Sequence, residues 1–286
     1  MHPTGMKQYT PYKTVLSGIL LLSLLVAVFW PVIPALYHDW VTNNNNSHCV
    51  LVPFISMYLI WRNRQNIDFS EASVSYIGLI IMVASLTFYM IGYAGRIDIL
   101  PRMAFVTAII GTVLYNYGSK IFSVLAFPLF FLFFMIPVPV SIEGIISFSL
   151  QLWVTQISSA ILSFLSITVL REGNILQFAN CSLEVAEACS GIRSLTAFIM
   201  LGSLFAYMLN GSWLRRSIMI LLAIPLAFLV NILRVVGTGI LASFFGAKVA
   251  RGFLHEFSGI AVFLLGLFIF SIIYQFLDEE NIPSTE

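Results

Sequence analysis

The chain has 286 residues, of which 59% are hydrophobic and only 9% charged, with a mean hydropathy of +0.95. A soluble domain carries roughly 25% charged residues, so this chain cannot clothe a globular surface. It reads as an integral membrane protein, all-helical by default for apolar runs of such length. A net charge of +1 excludes the basic footprint of a nucleic-acid binder. Three cysteines, Cys49, Cys181 and Cys189, are too few for a disulfide scaffold and lack zinc-type spacing.

The first apolar run, Val15 to Tyr37, is predicted to be a span. It is too long for a cleaved leader and contains Trp30, Pro31 and Pro34 with no small-residue cleavage site. A polar loop without Lys or Arg follows, from His38 through the run Asn43 to Asn46. A short second span, Cys49 to Trp61, stops at Arg62-Asn63-Arg64. Further spans are expected over Val74 to Tyr93, Met103 to Tyr117 and Ile121 to Val138, the last ending in the helix-breaking Ile136-Pro137-Val138-Pro139.

Ser141 to Leu170 mixes apolar residues and Trp153 with Ser, Thr and Gln at helical spacing. That pattern suits an interfacial or cavity-lining helix better than a lipid-facing one, the alternative being an ordinary span. Arg171 to Glu187 is polar, with a Gly-Asn turn and apolar residues at Ile175, Leu183 and Val185, and predicts a short hairpin outside the lipid. Three more spans, Ile192 to Leu209, Ser217 to Val236 and Phe257 to Leu277, bring the expectation to about eight in one domain over residues 1–286. The expected fold is thus a polytopic α-helical bundle with an extracytoplasmic hairpin and an interfacial helix.

With the N-terminus (Lys7, Lys13) in the cytoplasm, eight spans put Arg62, Arg64, Lys120, Arg215 and Arg216 inside as well. Arg96, Arg102, Arg171, Lys248 and Arg251 then fall outside. The bias is small, but the early loops carry it clearly: the Asn loop has no cation and the next loop has two arginines. In this orientation Cys189, Arg234 and His255 all come to the outer face.

Ile218 to Phe245 is broken by Asn231 and Arg234 alone. An arginine at a membrane helix centre costs ~2.5–3.5 kcal/mol on insertion scales, so it faces a cavity or partner, or snorkels from a helix end. Cys189, in Ala188-Cys189-Ser190-Gly191-Ile192-Arg193, stands where the polar stretch ends and an apolar helix begins. A helix N-terminus and a nearby cation both favour thiolate there, though a small buried cysteine is the plainer reading. His255, at the start of the last span, is able to take a thiol proton; an interfacial structural histidine is its plainer reading. His255-Glu256 lacks a second histidine at position 259, which is Gly259, so no zincin helix or other metal site is expected. Glu184 and Glu187 flank the cysteine on its polar side, either orienting a base or substrate or forming a solvated hairpin face.

Together these segments resemble the exosortase/archaeosortase family of membrane cysteine transpeptidases. The match rests on Glu187-Ala188-Cys189-Ser190-Gly191-Ile192-Arg193-Ser194-Leu195, on Asn231-Ile232-Leu233-Arg234-Val235, and on His255 followed by Gly259 and Phe263. Leu51-Val52-Pro53 with Trp61-Arg62, Met135-Ile136-Pro137, Leu150-Gln151 and Arg171-Glu172-Gly173-Asn174 add to it. The family's His-Gly in the first outer loop is replaced by a longer stretch, in which His48 fits better than His38.

The resemblance implies an enzyme of the inner membrane, its site on the extracytoplasmic side. It would cleave exported proteins that end in a Pro-Glu-Pro-like motif, a transmembrane helix and a basic tail, and pass them to an amine, lipid or glycan acceptor. No cofactor is implied. Cys189 would be the nucleophile, His255 the acid–base and Arg234 the oxyanion donor. Arg193, Glu187 and Asn231 would bind substrate. Two other readings remain at this stage. One is a transporter or lipid-handling carrier that holds an anionic substrate on Arg193 and Arg234; the other is an intramembrane protease that only hydrolyses.

Overall fold

The computed structural model describes residues 11–185, 191–246 and 253–278, with the side chains of 16–185, 191–246 and 259–278. These residues are helical apart from one small sheet, and contacts divide the chain into two compact units, Met1–Pro137 and Val138–Glu286. It is an all-α polytopic membrane protein. By length and composition, five helices among the described residues can cross a membrane: Tyr76–Gly95, Ile99–Met135, Val140–Phe164, Trp213–Phe245 and Gly259–Leu277. A sixth arises if Leu16–Val28 and Val32–Thr42, bent by 68°, count as one span. The expected count of eight is not confirmed among the described residues.

In the first unit, helix α1 (Pro11–Val28) stops and α2 (Val32–Thr42) restarts, because Pro31 cannot donate into the first helix and fits the start of the second. The expected span Cys49 to Trp61 is instead a 3₁₀ turn over Asn44–Val50 and α3, Leu51–Arg62. Twelve residues reach about 18 Å, well short of the ~30 Å of a bilayer core. Helix α4 (Tyr76–Gly95) matches its predicted span.

The long run α5 (Ile99–Phe131) holds a hidden reversal at Gly118, whose φ of 79° and ψ of 179° are not helical. Arg102 pairs with Asp39 at 2.6 Å, and the adjoining Trp40 donates its indole N–H to the carbonyl of Met135 at 2.8 Å. A straight helix would hold residues 102 and 135 about 50 Å apart, so the run doubles back. Its two arms are the expected segments Met103 to Tyr117 and Ile121 to Val138. The carbonyls of Tyr115 and Tyr117, left without helical donors at the break, accept from the backbone N–H groups of Ser75 and Ser73.

In the second unit, α6 (Val140–Phe164) begins after Pro139 and is long and apolar enough to span. Of the two expected roles, the cavity-lining one has a counterpart here, since Leu150 lines a cavity. Five of the helix's polar residues are buried, and Glu143, Ser147, Gln151, Thr155 and Ser158 share one face with Val154 and Leu162, while Ser141, Ser149, Gln156 and Ser163 are exposed. The predicted hairpin is a three-stranded antiparallel sheet, β1 (Val169–Glu172), β2 (Ile175–Phe178) and β3 (Ser182–Glu184). Its turn is at Gly173-Asn174, with Gly173 at φ 64°. The register pairs Leu176 with Leu183, so Leu176, rather than Ile175, joins Leu183 and Val185 on the buried face. That face packs on Val154 and Leu162 of α6 and on Ile232, Val235 and Ala242 of α8 (Trp213–Phe245).

Helices α7 (Ile192–Met208), α8 and α9 (Phe253–Leu277) form the second core around Phe198, Met219, Leu226, Val230 and Phe270. At 17 residues, α7 is shorter than the spans around it. Lipid is as apolar as these side chains, so packing supplies the drive to associate. Phe205 lies 5.5 Å from Phe270 and 5.6 Å from Tyr274, ring centre to ring centre.

Candidate functional site

Helix α8 carries both polar residues of its apolar run on one face, because Asn231 and Arg234 are three residues apart. Asn231 is 3% exposed, and its Oδ1 is buried without a hydrogen-bond partner among the described residues. Arg234 is half-buried in mid-helix, and its carbonyl accepts the hydroxyl of Thr238 at 2.8 Å.

Two glycines let neighbouring chain approach this face. Gly191, at φ 66°, ends the approach to α7; a Cβ built there would sit 3.1 Å from Asn231 Nδ2. The positive φ already favours glycine, and the amide fills the space a side chain would need. Gly259 in α9 faces the other residue: a Cβ there would lie 3.2 Å from Arg234 Nη2 and 3.3 Å from its Cζ. The guanidinium therefore rests against the backbone of the last helix.

The sequence-predicted residues fall as follows. Arg234, Asn231 and Arg193 lie in the described second unit. Arg193 is exposed in the first turn of α7, close enough to Arg234 to feel its charge. Cys189 and Glu187 lie outside the described residues. His255 is the third residue of α9, with its backbone described and its side chain not. It precedes Gly259 by one helical turn, on the same helix face. Glu184 is exposed at the end of β3 and makes no ion pair among the described residues.

Of the other two thiols, Cys49 belongs to the first unit and Cys181 to the second. Cys181 is half-buried against the sheet and donates to the carbonyl of Ala242 at 3.5 Å. Cys49 lies 3.8 Å from His48 Nε2, a thiol–imidazole contact that resembles a catalytic pair. Burial, however, pushes the Cys49 thiol up to about 12, so it stays protonated at neutral pH. Among the described residues no group of His, Cys, Asp or Glu could hold a metal ion.

Sequence reasoning expected a cavity-lining α6 but not the place or size of the cavity beside Asn231. It measures about 250 Å³ and is lined by Leu150 of α6, Leu195 of α7, and Pro225, Ala227, Phe228 and Asn231 of α8, with Gly191 at its edge. Its only sequence signal is the polar–apolar mixture of α6, which marks a helix with two different faces.

A planar guanidinium offers five donors to a carbonyl or carboxylate oxygen, and Asn231 adds an amide. Chemistry of this kind, set in a polytopic helical membrane protein, is able to hold a carbonyl or an anion. The chain belongs to the transmembrane exosortase family, whose sequence model matches residues 40–272. That family has a membrane transpeptidase or protease role in general. No curated protein and no solved structure matches the chain.

Proposed function

We propose that the protein is a cysteine transpeptidase that cleaves C-terminal sorting signals of exported proteins through a thioester on Cys189. The observation that carries this reading is the seating of Arg234 against Gly259, one turn from His255 on α9, with Asn231 against Gly191 one turn earlier on α8. Asn231 and Arg234 thus face Gly191 and Gly259, which belong in sequence to the motifs of Cys189 and His255.

In this mechanism the Cys189 thiolate attacks the scissile carbonyl carbon and the carbonyl electron pair moves onto oxygen. Arg234 stabilises that oxyanion. The intermediate collapses, the C–N bond breaks, and His255, carrying the thiol proton, protonates the leaving amine. A nucleophile from the acceptor then attacks the thioester, gives its proton to His255 and releases the thiolate. Arg193 and Glu187 are assigned to the substrate, Arg193 pairing with an acidic residue of the motif.

Two arginines that repel one another would also hold an anion in a carrier, and the test separates the readings. Membranes holding the protein and a reporter with a Pro-Glu-Pro motif, a transmembrane helix and a basic tail should yield a shortened reporter by mass spectrometry. Cys189→Ala should yield none. A carrier needs no thiol, so a Cys189→Ala variant that behaves as the native protein would reject the cysteine mechanism.

A further inference from the structure

The cavity beside Asn231 deepens that reading by giving the site a side-chain preference. Among the described residues its wall is apolar apart from Asn231, which is 3% exposed and whose Oδ1 has no hydrogen-bond partner there. At about 250 Å³ it exceeds the ~150 Å³ that holds benzene in an engineered core, and it falls below the ~300–1,000 Å³ of drug-sized sites. The fit is one bulky apolar side chain.

The unmet acceptor narrows the occupant further. A lipid tail fills apolar volume but has no donor for Oδ1. A lone water needs two to four polar partners, and this wall offers one side chain. A peptide brings both parts: an apolar side chain and, beside it, a backbone N–H. Gly191 borders the cavity and lies two residues from Cys189, which ties the occupant to the residues around the cleaved bond. We propose that this cavity is the subsite for one bulky apolar side chain of the substrate peptide, with Asn231 Oδ1 accepting that residue's backbone N–H. The proposal rests on the peptide-cleaving reading above.

The test uses the full-length protein in membranes and the same reporter, with each residue from four before to four after the motif set in turn to Ala, Leu or Phe. The native protein should prefer Leu or Phe over Ala at one position by about tenfold or more, the range expected for filling an apolar pocket. Ala227→Leu narrows the cavity and should abolish that preference, its folding being checked separately by Tm in detergent. Phe228→Ala should shift the preference toward the larger side chain. Asn231→Leu should raise KM for all reporters. Equal processing of all three residues at every position by the native protein would overturn the subsite, as would an Ala227→Leu variant that keeps the native preference. Cleavage by Cys189→Ala would instead reject the nucleophile, and the size preference would still decide the subsite separately.

Discussion

Arg234 reaches the backbone of the last helix because position 259 carries no side chain. A methyl group at 259 would require the guanidinium to shift by a few tenths of an ångström, whereas a branched side chain would displace it outright. Gly259→Ala should therefore lower reporter processing a few-fold and Gly259→Val by about 100-fold, since a displacement near 1 Å can cost that much. Equal rates for Val and Gly at this position would show that the seating of Arg234 is irrelevant to turnover. Arg234→Lys should fail as well, because a point charge does not reproduce a planar fork. Cys49 gives a contrasting prediction. Its folded value lies above the ordinary 9.0, at about 12, so the protonated form is favoured in the fold. The associated stability is intact below about pH 9 and is lost as pH climbs toward 12. At pH 8, iodoacetamide should label Cys49 about a thousandfold more slowly in native membranes than after unfolding. Rapid native labelling would place the thiol in a different environment.

At the scale of elements, Gly118 is the clearest break between pattern and structure. Its φ of 79° with ψ near 180° is a conformation that essentially only glycine adopts, and a Cβ would meet the Ser73 hydroxyl and carbonyl. Gly118→Ala should destabilise the first unit by about 1–3 kcal/mol, read as a lowered Tm in detergent; an unchanged Tm would argue against the reversal. The sequence already divided this run at Tyr117-Gly118, because Gly118-Ser119-Lys120 interrupts the apolar pattern. Cys49 to Trp61 was already short for a span by its length, and the 3₁₀ turn that takes its first two residues was not legible in its hydropathy. In α6 the mixed pattern marked two kinds of face, and Ser147, Gln151, Thr155 and Ser158 are buried while Ser149 and Gln156 are exposed; periodicity alone does not say what covers a face. At the site, the motif residues Asn231 and Arg234 were legible as polar interruptions of an apolar helix. The glycines they press against were visible as letters only; their contacts depend on helices brought together from distant parts of the chain.

At the scale of the whole molecule, the first unit has two distinguishable ends. Asp39, Arg102, Trp40 and Met135 gather at one, while Glu71 pairs with Lys120 at 2.9 Å at the other. Asn43 to Asn46 follow directly on the first end. The cation-free Asn loop and the cationic loop after α3 then predict an outer face for the first end. In a background lacking native cysteines, Asn45→Cys should react with a membrane-impermeant maleimide in intact cells. Reaction only after lysis would invert the orientation. Cys181 is held against the sheet and the Ala242 carbonyl, so Cys181→Ala should process reporter at a rate close to native. The central claim is that Cys189 forms the thioester. The most direct measurement is intact mass spectrometry of the native protein trapped during turnover of the tailed reporter without added acceptor. An adduct equal to the cleaved reporter, labile to hydroxylamine, mapping to Cys189 and missing from Cys189→Ala, is the predicted result. Processing that persists in Cys189→Ala, with no such adduct on the native protein, would contradict it.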